Sequence, residues 1–276
     1  MDTFNINALA ERIGRYLQLA EAAKSDNDPE VIHDFRIASR TVLALEPLLR
    51  TTSATRKWRK PVKRWLKALN HLRDLQVMQE RFGSHGTLDN KLSSSIRAEL
   101  NTWENIRPDI AGKSFQRRLQ RSLGRFIRRC ETYPGYFAVT TLSLWWQTLG
   151  EVQTRFAAIR PDDPATLHRL RIAFKSLRYL TNTLRSLNAI PEDANTGLKY
   201  WHDLLGDIQD RQVAQHWLDR ADADPALSGQ QLEEAASLQE TFLHERLKFQ
   251  QMLLQLDETV TSSLSHMLRT NTGLAV

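Results

Sequence analysis

The sequence predicts an all-α fold. Ala, Leu, Gln, Glu and Arg dominate nearly every segment, apolar residues recur at spacings of three and four, and no alternating β-branched run is flanked by hairpin signals. The chain has 276 residues, 41% hydrophobic and 25% charged, enough for one large domain or two of ordinary size around a real core.

The elements follow from the breaks between them. A first helix near 4–24 ends at Ser25-Asp26-Asn27-Asp28-Pro29. Helices near 29–50 and 55–82 come next, and Pro61 should sit in the first turn of the latter or kink it. Gly83-Ser84-His85-Gly86 separates these from helices near 88–106 and 113–131. Tyr133-Pro134-Gly135 precedes a helix near 138–158, and Arg160-Pro161-Asp162-Asp163-Pro164 precedes one near 164–187. A helix near 195–220 ends before Asp224-Pro225, and a last, long helix is expected over 229–268, with Thr270 to Val276 frayed.

An internal repeat organises these helices. Residues 32–43, IHDFRIASRTVL, match 167–178, LHRLRIAFKSLR, at an offset of 135 residues. Residues 65–77, WLKALNHLRDLQV, match 201–213, WHDLLGDIQDRQV, at 136, aligning Trp65 with Trp201, Leu69 with Leu205, Asp74 with Asp210 and Val77 with Val213. Two matches at nearly one offset indicate duplication. The halves, 1–135 and 136–270, then hold about four helices each, as two packed antiparallel bundles.

Charge is segregated. The net charge is +6, but residues 31–130 hold 22 Lys and Arg against 8 Asp and Glu, while 1–30 carry a net −3 and 131–276 a net −5. Such asymmetry points to a local anion site rather than to general solubility. No apolar run approaches the roughly 20 residues that span a bilayer, so no membrane partner is expected. The N-terminal segment lacks a basic leader and an apolar signal core, and Cys130 is the single cysteine, which removes an intramolecular disulfide and a Cys-rich zinc site. A cytoplasmic location follows as an expectation.

The basic residues form rows. His168, Arg171, Lys175 and Arg178 are spaced i, i+3, i+7 and i+10 on one helix face, over roughly 15 Å at 1.5 Å per residue. Leu170, Phe174, Leu177, Thr181 and Leu184 occupy another face. The first copy repeats the plan with His33, Arg36 and Arg40, where Leu43 replaces the fourth cation. Neither row contains an acid, so like charges repel unless an anion is bound, and a chain of phosphates answers that need. A further stripe of Lys60, Lys63, Arg64, Lys67 and His71 follows; its second-half counterpart keeps Lys199 but has Tyr200 and Asp203. Arg117, Arg121, Arg125 and Arg128 or Arg129 make a third stripe with no echo in the second half. The expected site is therefore lopsided toward the first half.

These motifs resemble the CHAD family, a duplicated helical domain named for its histidines. The resemblance covers 5–265 and rests on the His-x-x-Arg-Ile-Ala helix starts at His33 and His168, Leu-Arg-Tyr at 177–179, Arg-Asp-Leu-Gln-Val at 73–77 and Leu-Gly-Asp-Ile-Gln-Asp at 205–210. It implies two four-helix bundles related by a pseudo-twofold, with a basic central groove or pore that binds inorganic polyphosphate. It also implies a non-catalytic module without cofactor, associated with polyphosphate granules. Tyr179 joins the cations as a residue that could contact the anion or pack. Thr41, Leu43 and Ser176 stand where the family usually has basic residues, which implies weaker affinity or a shifted anion path.

Two rival classes remain. His33-Asp34, with Asp74 and Asp210, would suit a metal-dependent helical phosphohydrolase acting on short phosphates, but Asp34 aligns with Arg169, so the second copy lacks the pair. No Ser-His-Asp motif, Gly-rich phosphate loop or His-Glu-x-x-His is visible, and no catalytic or metal-ligating residue is assigned. Nucleic acid is the competing polyanion, although the tryptophans lie mostly within apolar periodicity rather than on exposed stacking positions. A helical scaffold without a small ligand is the third class.

Overall fold

Asp-Pro pairs start three of the helices in the same way. Asp28, Asp163 and Asp224 each accept a hydrogen bond from the backbone N–H two residues on, at 2.7, 3.1 and 2.9 Å, with proline at the first helical position, where no N–H is needed. In the computed structural model the described residues are 6–26, 28–83, 86–221 and 223–272. They form ten α-helices and no strand: α1 Asn7–Ser25, α2 Pro29–Arg50, α3 Arg56–Phe82, α4 Gly86–Ile106, α5 Lys113–Thr132, α6 Tyr136–Ala157, α7 Pro164–Ser186, α8 Leu198–Arg220, α9 Pro225–His244 and α10 Arg246–Thr272. Short 3-10 turns lie at Arg107–Asp109 and Glu192–Asn195.

Four expectations change. The helix anticipated over 229–268 is two helices, broken at Glu245, whose carboxylate is held by the Tyr200 hydroxyl and by Lys248 at 2.6 Å. The helix anticipated from 195 begins at Leu198, because Gly197 adopts φ +83°, a conformation that glycine enters without steric cost. Pro61 lies in the second turn of α3 rather than the first, and Pro47 sits inside α2, so each helix lacks one ladder donor. Thr270 to Thr272 are helical. Asn27, Ser84, His85 and residues 273–276 of the anticipated breaks and tail lie outside the described residues.

The chain divides into two compact units, one ending at Phe137 and the next beginning at Ala138. In the first, Tyr16, Phe35, Trp58, Trp65, Trp103 and Phe126 are buried. Trp65 meets Phe115 edge-on at 5.0 Å, Tyr16 stacks on Phe35 at 5.7 Å, and Trp58 Nε1 donates to Ser122 Oγ at 3.1 Å, locking α3 to α5. Glu46 is a buried acid that accepts from Thr55 and faces Arg59 at 3.5 Å and Arg50 at 3.9 Å, joining the end of α2 to the start of α3. In the second unit, Trp201, Phe174, Phe242 and Phe249 form a buried aromatic cluster, with Trp201 and Phe249 5.2 Å apart. Trp145 Nε1 donates to Asp257 Oδ1 at 2.8 Å, tying α6 to α10.

Candidate anion-binding helix faces

In the second unit the α7 row is half-buried beside α8. Leu170, Phe174, Leu177, Thr181 and Leu184 are buried, so the apolar face of α7 is committed to the core. His168, Arg171, Lys175, Arg178 and Tyr179 keep part of their surface in solvent. His168 Nδ1 is hydrogen-bonded to Gln209 Oε1, at the middle of α8. His202, two turns earlier on α8, has its proton affinity lowered by burial first and then by Arg178, with Asp203 opposing and Arg171 adding to the depression. The start of α7 thus meets the middle of α8, and the end of its row lies near His202: the helices run antiparallel, with the row along their seam. Arg178 lies 5.5 Å from the Tyr179 ring centroid. Lys199 is exposed and donates to Asp203 at 2.6 Å, which holds that carboxyl below its ordinary range.

In the first unit His33 is exposed, whereas Arg36 and Arg40 are half-buried. Arg40 Nη2 donates to Asn70 Oδ1 at 2.8 Å. Asn70 lies three and seven residues after Lys67 and Lys63, so both exposed lysines share its side of α3. Other cations turn elsewhere: Arg64 pairs with Asp109 at 3.1 Å, and His71 contacts Glu99 of α4 at 3.0 Å. Lys60 is exposed. The expected stripe therefore divides, part toward α2 and part toward α4 and the turn after it. Asp34 faces Arg15 of α1 at 3.7 Å, and no group of three or more His, Cys, Asp or Glu among the described residues is arranged to hold a metal ion.

On α5 the faces separate cleanly. Phe115, Leu119, Ser122, Leu123 and Phe126 are buried, and Arg117, Arg118, Arg121, Arg125, Arg128 and Arg129 are exposed. Arg117, Arg121 and Arg128, with Gln120 and Gly124, line a shallow concavity of about 360 Å³. Gly124 keeps this surface low, with Arg128 Nη1 3.6 Å from where a Cβ would stand. None of the six arginines has an acidic partner among the described residues, in contrast to Arg59 and Arg64 on α3.

Residue-type reasoning passed over three participants. Asn70, Gln209 and His202 lie within or beside the repeated α3 and α8 segments, and their helical spacing was available, but neutral side chains carry no charge signal. Glu46 was hidden because an isolated acid in an apolar helix reads as surface until its burial is seen. Among the described residues no helix is long and apolar enough to cross a membrane.

Comparison with curated proteins found no match. Among solved structures, the chain resembles the crystal structure of the CHAD domain from the plant Ricinus communis, with a TM-score of 0.61 at 17% identity over 96% of this chain and 92% of that one. At that identity the likeness concerns the fold. The family comparison matches the CHAD domain over residues 7–219, which takes in the α2, α3, α5, α7 and α8 faces described above. This chain belongs to the CHAD domain family.

Proposed function

We propose that the protein binds inorganic polyphosphate on its basic helix faces without turning it over. The observation that carries this reading is the α7 row: His168, Arg171, Lys175 and Arg178 follow one another along the α7–α8 seam with no acid in the row. The proton affinity of His202 is lowered first by burial and then by Arg178 and Arg171, so the positive charge of the row reaches α8. Arginine offers planar multidentate contacts to phosphate oxygens and lysine a mobile point charge, while the half-buried setting limits screening. Tyr179 and Lys199 flank the row. Family membership agrees with this ligand.

The first-half contribution consists of His33, Arg36 and Arg40 on α2, Lys60, Lys63, Arg64 and Lys67 on α3, and Arg117, Arg121 and Arg125 on α5. We further propose that the halves 1–135 and 136–270, with five α-helices apiece among the described residues where about four were expected, arose by duplication as two helical bundles related by a pseudo-twofold, with the rows along a basic groove. Association with polyphosphate granules in the cytoplasm is the corresponding cellular role.

Competition is the test. Labelled long-chain polyphosphate bound to the protein is challenged with unlabelled polyphosphate, duplex DNA, RNA and triphosphate. Polyphosphate should displace the label at the lowest phosphate concentration. Displacement by DNA at lower concentration would reassign the protein to nucleic acid, and release of orthophosphate from triphosphate with a divalent metal would make it a phosphohydrolase.

A further inference from the structure

The arginine face of α5 continues to the end of the helix. From Arg125 onward, the last turns of α5 and the end of α2 line a second shallow concavity, of about 540 Å³, whose cations are Arg125, Arg128 and Arg129. Tyr133 and Tyr136 form its aromatic wall, and Thr51, Thr52 and Thr132 complete the lining, with no acidic side chain among them.

Arginines near helix C-termini ordinarily serve the helix, by hydrogen-bonding the last carbonyls or answering the dipole. At these two helix ends threonine hydroxyls bond backbone carbonyls instead. Thr51 Oγ1 donates to Leu48 O at 2.7 Å, Thr52 Oγ1 to Leu49 O at 3.3 Å, and Thr132 Oγ1 to Arg128 O at 2.8 Å. The guanidinium groups make no hydrogen bond to a carbonyl and no ion pair among the described residues. Arg129 is instead held against rings, 3.9 Å from the Tyr133 centroid and 5.4 Å from that of Tyr136. A ring quadrupole orients a guanidinium without neutralising it, so its N–H edge remains available to an anion.

We infer that this concavity, at the ends of α2 and α5, binds a compact oligophosphate group of two or three phosphates, apart from the α7 row and at the terminal part of the α5 stripe. Three adjacent guanidiniums match the charge of such a group and supply planar donor forks for its oxygens. The group can come from a free inorganic oligophosphate or from the tail of a nucleoside triphosphate, and Tyr133, 48% exposed, offers a ring edge to a base in the second case. The site does not depend on the α7 row.

Isothermal titration of the full chain with tripolyphosphate, ATP and AMP tests this. Tripolyphosphate binds the wild-type chain, and Arg128→Ala with Arg129→Ala weakens it at least tenfold while the circular dichroism spectrum is unchanged. The variant Arg171→Ala, Lys175→Ala, Arg178→Ala keeps tripolyphosphate binding. ATP equal to tripolyphosphate assigns recognition to the phosphates alone, ATP markedly tighter assigns it to a nucleotide, and AMP binds weakest in either case. A wild-type chain that does not bind tripolyphosphate, or a double variant that binds it unchanged, overturns the inference. So does its loss in the α7 variant. Side-chain Nε–H resonances of Arg125, Arg128 and Arg129 give a reading that needs no variant: they shift on adding tripolyphosphate before those of Arg171 and Arg178, and the reverse order also overturns the site. Long-chain binding by the same two variants is read separately, so a failure of the polyphosphate reading is distinguishable from a failure of this one.

Discussion

Arg40 on α2 donates from Nη2 to the side-chain oxygen of Asn70 on α3 at 2.8 Å. This bond sets the register between the first basic row and the helix carrying Lys63 and Lys67. It also holds a guanidinium in place through a neutral acceptor. Asn70→Ala should lower unfolding stability by about 1.5 kcal/mol, as expected for a partly buried hydrogen bond to a charged donor. Denaturant midpoints with and without the substitution measure it; an unchanged midpoint would show that the bond is not made in solution.

On α7 the three permanent cations should account for most long-chain affinity. Replacing Arg171, Lys175 and Arg178 together by Ala removes at least three charge-assisted contacts, about 3 kcal/mol in all, or a factor on the order of a hundred in Kd. For a flexible strand, log K falls against log salt by roughly 0.7 per neutralised phosphate, so the triple variant should also flatten the salt slope by about two. Titrations at several salt concentrations give both quantities. A variant with wild-type affinity and slope would place the site on α3 and α5.

His202 should report occupancy. Its pKa is held below the ordinary histidine value by burial and by Arg178 and Arg171, against Asp203, whose other partner is Lys199. Above the ordinary value, folded and unfolded chains both carry neutral His202, and its contribution to stability is complete. As pH falls through that value the unfolded chain takes the proton first, so stability declines until the folded-state pKa is passed. A bound polyanion favours the charged form, so the His202 midpoint followed by NMR should move up when long-chain polyphosphate is added, with affinity rising as pH falls. A midpoint indifferent to polyphosphate would exclude contact near the end of the α7 row.

Trp65 and Trp201 occupy matching places in the repeated segments, and both are buried, at 1% and 4% exposure. Trp65→Ala and Trp201→Ala should each cost about 3–5 kcal/mol, the usual range for deleting a buried aromatic. Chemical denaturation monitored by circular dichroism tests both. A cost below about 1 kcal/mol at either position would show that the surrounding core collapses onto the gap.

Most of the helices and the two basic rows were legible in the sequence because each depends on local periodicity, whereas Asp224-Pro225 was read only as a break and the structure makes it the start of α9. Apolar spacing decided which face of α7 is buried, and the acid-free spacing of Arg171, Lys175 and Arg178 followed from it. The family was legible because its motifs occur twice at matched spacing. Other features depend on which side chain meets which across the fold. Spacing made Arg64 and Lys67 members of one stripe, but Asp109, forty-five residues away, claims Arg64. Charge alone made the α5 arginines ambiguous; tyrosines that hold Arg129 without neutralising it, at the ends of α2 and α5, decide that they line an open concavity. The kink at Glu245 was likewise hidden, because Tyr200 and Lys248 stabilise it and no proline or glycine marks it. Sequence by itself determined where the cations lie on each helix, since backbone geometry repeats every 3.6 residues. Tertiary structure decided which of them keep an uncompensated charge, since electrostatic pairing depends on distances between residues far apart in the chain.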